Sequence, residues 1–443
     1  MSSLHSPDTS EPAYHTSSEI SQRPLDTKWL EGSGNTVRAT VAELKKLLNM
    51  ELHNSLELSQ SLAEAVFPDH NLPIRINQSL LDGPRATRRQ MQRSPKSVLS
   101  EPPTHWSEAN TCQWLNDIGD ALRQAKINTD YTNNDGNVVT LPKRIWSSAY
   151  SSVCMKKHQG SNGHDYIPRR KPDIVLVDED FDGDIAWPQV HSLAEVTSTE
   201  LIKSRTIKDT VYQKSYIMFR CQDNRTFVPS VYFTGEGFFT FNICDRAGIV
   251  YSANLEIAGN PLILLRILTG LMFAQPSAIG YDPTIQCNSH GRAVLIRVAG
   301  LDYRVKAELF KSTALRGRAT RCWSVESTDG NKEGFVLKDC WADVRRERGE
   351  ILILELIREL GLCKSHCLPT LVHGENVHIL LNVALGLYGD DCTARRCGEN
   401  SSVEGRVHRR LLMKPLGRHL TDFRCLHELV GAAIDAVEGS SFC

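Results

Sequence analysis

Lys338 closes an apolar run, Phe335-Val336-Leu337-Lys338, and an acid-rich segment with Glu347, Glu350 and Glu355 follows it. Upstream lies a glycine turn, Arg316-Gly317-Arg318-Ala319-Thr320, which leads into a second strand-like run, Cys322 to Val325. A glycine turn lets backbone N–H groups approach phosphate oxygens, and an ammonium at a strand end neutralises them. A helix carboxylate then holds the ammonium in place. In this order the residues point to nucleotide phosphates. Singly, each has a plainer explanation. Lysine at a strand end is commonly a solvated edge charge, and any turn can use one glycine. Glu350 sits among Arg345, Arg346, Glu347 and Arg348, as it would on a salt-bridged helix face.

A second constellation is acidic. Pro172-Asp173 is followed about twenty residues later by Glu195-Val196-Thr197. This is the layout of a PD-(D/E)xK nuclease core, in which two acids on neighbouring strands hold Mg²⁺ and a lysine activates water. Thr197 occupies the lysine position, and a hydroxyl supplies no positive charge. Lys203 and Lys214 lie on the next helical segment, and Gln213 stands where such folds often carry a glutamine. The expectation is a nuclease-like scaffold without cleavage. Two Cys/His clusters, Cys363-His366-Cys367 and Cys392-Cys397 with His408, lack the tight paired spacing of zinc sites, so no metal is expected there.

These residues need elements to position them. The chain has 443 residues and ordinary globular composition, and its formal charge of −1 gives no global attraction to nucleic acid. No apolar run approaches the ~20 residues of a membrane helix, and no secretory signal is visible. The thirteen cysteines form no framework, so reduced thiols in an intracellular protein, cytoplasmic or nuclear, are expected. Residues 1–35 read as disordered. Residues 36–130 read as a helical segment, with two short helices between Val37 and Phe67, a basic linker over 84–100, and a helix from Ser107 to Ala125. Residues 165–290 alternate strand and helix patterns and read as a mixed α/β domain. The strands are Asp173–Asp178, His191–Val196, Phe227–Phe233 and Gly237–Cys244; the helices are Ile202–Arg220 and Pro261–Phe273. Strand patterns resume over 291–443. The fold class is α+β.

Taken together, the chain resembles the fungal-type protein kinase family from about Lys171 to Glu438. The resemblance is carried by Lys171-Pro172-Asp173-Ile174, Trp187-Pro188-Gln189-Val190, Asp223-Asn224-Arg225-Thr226-Phe227-Val228, Cys244-Asp245-Arg246-Ala247-Gly248 and Gly280-Tyr281-Asp282-Pro283-Thr284. Gly317-Arg318-Ala319-Thr320 and Val336-Leu337-Lys338-Asp339-Cys340-Trp341 continue it. It implies a protein-kinase-like small lobe with hinge and following helix, and ATP with Mg²⁺ as cofactor. Lys338 would pair the ATP phosphates and Glu350 would hold Lys338, with Glu347 and Glu355 as the alternative partners. Gly317, Ala319 and Thr320 would cover the phosphates, and Met413, Pro415 and Gly417 would form the hinge. The family usually has a glycine where Ala319 stands. The family's catalytic half should add H-R-D-x-x-x-x-N and D-F-G. Neither occurs in the sequence, and His408-Arg409-Arg410 has arginine where the base belongs. The resemblance therefore implies a partial domain of a Ser/Thr kinase family, inactive as written and weak in ATP binding. The alternatives are a scaffold pseudokinase fragment, which binds a protein partner on the apolar face where a large lobe would dock, and a Mg²⁺-dependent nuclease. No membrane or nucleic-acid partner is expected.

Overall fold

The computed structural model describes residues 41–52, 56–82, 97–125, 141–155, 170–197, 204–235, 237–330, 333–346, 349–362, 368–382, 385–393, 404–418 and 422–440. The readings placed on 1–35, on 84–96, on Lys203 and on Cys363, His366, Cys367 and Cys397 lie outside them.

The chain builds two sheets. The first is assembled from α1 (Val41–Glu51), β1 (Leu56–Leu58), α2 (Leu62–Val66), α3 (Glu108–Gln124), β2 (Arg144–Ser147), β3 (Ile174–Asp178), β4 (Ser192–Thr197), α4 (Ser204–Cys221), β5 (Val228–Thr234), β6 (Phe238–Cys244), β7 (Ile249–Tyr251), β8 (Leu255–Glu256) and α5 (Pro261–Phe273). Strand order is β1-β7-β6-β5-β4-β3-β2, with β8 beside β6. β4 and β5 are parallel, so α4 is the crossover that joins them. Helices cover both faces. Ile174 and Leu176 pack with α3 and α5, whereas Val175 and Val177 pack with α1 and α4. A strand buried on both faces reads as an unbroken apolar run, as 174–177 does.

Local chemistry sets the helix ends. Ser107 caps α3 by accepting from the Asn110 N–H at 3.2 Å. Pro261 opens α5, where its missing N–H costs nothing. Two helices lie between Val37 and Phe67, as expected, but Leu56 and Leu58 are not in the second: they form a strand, because β1 pairs in parallel with β7, and α2 begins only at Leu62. A two-residue leucine spacing fits a strand as well as a helix, and only a partner strand decides between them.

The second sheet follows: β9 (Ile285–Cys287), β10 (Ala293–Val298), β11 (Leu301–Lys311), β12 (Arg321–Ser327), β13 (Gly334–Asp343), α6 (Glu350–Glu359), β14 (Thr370–Asn376), a β15–β16 hairpin (His378–Asn382 and Leu387–Asp390), β17 (Arg406–Lys414) and α7 (Leu426–Ser440). Strand order is β14-β17-β13-β12-β11-β10-β9, all antiparallel. β17 enters between β13 and β14, so the lysine strand β13 lies inside the sheet, between β17 and β12. One face packs around Trp323, Val325, Leu337 and Leu412; α6 covers part of the other with Leu354 and Ile357 against Cys340, Leu371 and Leu411.

Two buried ionic knots tie the sheets together. Asp223, just after α4, accepts from Lys311 at 2.9 Å, Arg321 at 3.0 Å and Arg292 at 3.4 Å. Arg410 on β17 reaches Asp282 at 2.8 Å and Asp339 at 3.3 Å. Among the described residues the nine cysteines are free, and no helix is long and apolar enough to cross a membrane.

Candidate functional site

Lys338 sits mid-strand on β13, opposite Cys322 of β12 on one side and Leu411 of β17 on the other. Its side chain is on the face covered by α6. Glu350, the first residue of α6, meets it at 2.5 Å. Strand lysine and helix glutamate, twelve residues apart, thus form the expected pair. Burial acts to raise the Glu350 carboxyl, but the hydrogen bond and charge of Lys338, together with Arg318, outweigh it and hold the group below its usual range.

The glycine turn adds a residue that sequence reasoning had not assigned. Arg318 donates to Glu350 at 2.8 Å, so two cations share one carboxylate. The turn is also anchored to a loop of the first sheet and to the end of α1. The Gly317 N–H donates to the Arg246 carbonyl at 2.9 Å, and the Arg316 N–H to Glu51 at 2.5 Å. The Arg318 carbonyl accepts from the Trp341 N–H, which extends the β12–β13 ladder through the turn. Gly317 has φ +108°, a left-handed conformation that glycine adopts freely. Ala319 has φ +42° and is buried, so its methyl carries backbone strain there. The Thr320 carbonyl accepts from Ser312.

Met413 lies opposite Val336, near the end of β17. Pro415 and Gly417 follow beyond the strand. Pro415 has no N–H, so any backbone donor to a base at this corner comes from a neighbouring residue.

A cavity of about 290 Å³ opens at the Lys338–Glu350 pair. Arg318, Arg346, Arg406, Arg409, Asp343 and Glu404 also line it. The His408-Arg409-Arg410 run lies within β17, and its members point to alternate faces. His408 stacks on Trp341 with ring centroids 4.7 Å apart and bonds Asp339 at 3.0 Å. Burial acts to lower its pKa, but Asp339 and Asp391 push it up to about 10. This histidine is a fixed cation inside an ion-pair network. Asp282, Asp339 and His408 come close enough together to suggest a metal, yet the Arg410 guanidinium already fills the space between the carboxylates.

The acidic constellation of the first sheet also comes together. Asp173 precedes β3 and Glu195 lies on β4. Thr197, at the end of β4, contributes no charge. Lys214, on α4, bonds both Glu195 oxygens and stands 3.9 Å from Asp173. The crossover helix therefore places a cation beside the two carboxylates. Burial pushes the Glu195 carboxyl up to about 7, against the pull of Lys214. Gln213, adjacent to Lys214, is buried, and its Oε1 has no hydrogen-bond partner.

The model of the fungal protein kinase family matches residues 171–441, more than half of the chain. The chain belongs to the fungal protein kinase family. No curated protein and no solved structure matches it. The matched span of this fungal kinase chain starts just before β3, so it takes in most of the first sheet as well as the lysine strand. Both constellations therefore lie within the region that defines the family.

Proposed function

We propose that this fungal kinase chain binds ATP weakly through a kinase-type small lobe, formed by the second sheet and α6, and transfers no phosphate on its own. The observation that carries this reading is the Lys338–Glu350 pair, formed in a sheet where the lysine strand lies between β12 and β17. Lys338 and Arg318 would meet the phosphates, and Met413 to Gly417 the base. ATP supplies a transferable phosphoryl group when bound. Mg²⁺ takes oxygen ligands in near-octahedral geometry. The carboxylates beside Lys338 do not offer them: Glu350 is held by Lys338 and Arg318, Glu404 by Arg406 and Arg345, and Asp343 by Arg345. Phosphoryl transfer depends almost wholly on such positioning and charge, so binding without turnover fits this donor set.

An exposed apolar stripe on α7, formed by Leu426, Val430, Ile434 and Val437, suits a protein partner better than water does. Calorimetric titration with ATP tests the reading. A dissociation constant nearer millimolar than micromolar is expected, and Lys338→Met should abolish binding. ATP binding that survives Lys338→Met would refute the site. Labelled phosphate appearing on a protein substrate, and lost in Lys338→Met, would refute the inactivity.

The position of Lys214 favours a second reading for the first sheet, a Mg²⁺-dependent phosphodiesterase site. Asp173 and Glu195 would hold the metal once Lys214, which bonds both Glu195 oxygens, shifts from Glu195 to the attacked phosphate and stabilises charge there. Incubating plasmid DNA with the protein and Mg²⁺ tests this. Nicking that disappears in both Asp173→Ala and Lys214→Met supports it; intact plasmid leaves the Lys214–Glu195 pair as a buried structural ion pair.

A further inference from the structure

The cavity at the Lys338–Glu350 pair extends away from the Met413–Gly417 corner, toward the N-terminus of α6. Five cationic side chains line it, Arg318, Lys338, Arg346, Arg406 and Arg409, against three carboxylates, Asp343, Glu350 and Glu404. The excess positive charge gathers at one end. Arg409 bonds only the Asn376 amide oxygen, at 3.3 Å, and no carboxylate of the described residues pairs with it. Arg346 is exposed and takes part in no ion pair among the described residues. Arg406 is 3% exposed; its Nη groups bond Glu404 at 3.0 Å and the Trp341 carbonyl at 3.3 Å, and its Nε has no hydrogen-bond partner.

Arg409 sets a guanidinium against the start of α6. Its Nη1 lies 2.2 Å from where a Cβ on Gly349 would be, so the guanidinium rests directly on the N-cap of α6. A helix N-terminus carries partial positive charge and unpaired N–H groups. Gly349 has no side chain to cap them, and no side-chain cap bond is made there among the described residues. A guanidinium there meets like charge, an arrangement that favours an anion between the two. Glycine at 349 is what allows the approach.

We propose that this end of the cavity binds a phosphoryl dianion, as free phosphate or as a phosphorylated side chain, held by Arg409, Arg346, Arg406 and the first N–H groups of α6. The charge density and the planar donor forks of arginine match phosphate oxygens. The site shares the cavity with Lys338 and Glu350 but lies at its α6 end, and neither Arg409 nor Arg346 belongs to the residues assigned to ATP.

The test titrates the full chain with inorganic phosphate and with O-phosphoserine, read by calorimetry and thermal shift. Saturable binding is expected, at least tenfold weaker in Arg409→Gln. Gly349→Ala should weaken it comparably, because it displaces Arg409 without removing a charge. Arg346→Gln, an exposed change that leaves the fold intact, should weaken it several-fold and keeps the test decisive if the other variants are unstable. ATP titrated into Arg346→Gln should give the wild-type response, so loss of ATP binding by Lys338→Met and loss of phosphate binding here are read independently. Tighter binding of O-phosphoserine than of phosphate would identify a phosphorylated side chain as the source, and equal binding would identify free phosphate. No saturable binding by the wild type, or binding unchanged in Arg346→Gln and the other folded variants, would overturn the proposal.

Discussion

Replacing Asp223 by asparagine should cost this protein a large fraction of its stability. The carboxylate is 2% exposed on its side chain and is shared by Lys311, Arg321 and Arg292, whose side chains are 3%, 8% and 25% exposed. Burial alone would raise its pKa, but the three cations hold it well below the usual carboxylate range. Asparagine keeps the shape and removes the charge, leaving two buried cations uncompensated. Breaking a buried pair in this way costs about 3–5 kcal/mol, and a domain's whole stability is only about 5–15 kcal/mol. The loss should depend on pH with a definite sign. Burial already lowers Lys311 to about 8, even with Asp223 opposing it. Without Asp223 it falls further, so folded Lys311 is neutral at pH 7 while the unfolded lysine is still protonated. Stability then rises with pH by about 1.4 kcal/mol per unit, starting at lower pH in the variant than in the wild type. The deficit should therefore shrink between pH 7 and 9. Urea unfolding followed by circular dichroism at both pH values measures it. A variant within about 1 kcal/mol of wild type at pH 7, or a deficit independent of pH, would refute the reasoning.

Three further outcomes follow from local geometry. The folded pKa of His408, about 10, lies above its unfolded value, so its contribution is complete below about pH 6.5 and fades as pH rises through 10. His408→Asn should be less stable than wild type at pH 6, with the gap narrowing by pH 10 in paired unfolding curves. A Cβ on Gly270 of α5 would lie 2.4 Å from the Phe67 ring, so Gly270→Ala should cost about 1–3 kcal/mol through overpacking, seen as a lowered melting temperature. Ala319→Gly should stabilise by up to about 1 kcal/mol, since relief of left-handed strain of ~1–2 kcal/mol exceeds the entropic penalty of ~0.4–1 kcal/mol. A melting temperature unchanged or lowered in that variant would show that the turn is not strained.

The sequence by itself determined the elements whose side-chain periodicity is strong. α5 spans Pro261–Phe273 as its apolar run indicates, α3 starts behind the Ser107 cap, and the unbroken run 174–177 is a strand buried on both faces. Motif order also pointed to the family, and through that resemblance to Glu350 as the first choice of partner for Lys338. Tertiary structure decided what depends on contacts between distant residues. Leu56 and Leu58 became a strand only because β7 offered an edge. Arg318 reached Glu350, and Lys214 reached Glu195, because strand register and helix crossover brought together residues that local spacing leaves ambiguous. The His408-Arg409-Arg410 run shows the reason most directly. In sequence it is a histidine and two arginines in a row; in the fold, alternation along β17 sends Arg410 into a buried network and leaves Arg409 over the end of α6. Periodicity is a property of neighbours along the chain and can be read there, whereas charge pairing is a property of neighbours in space.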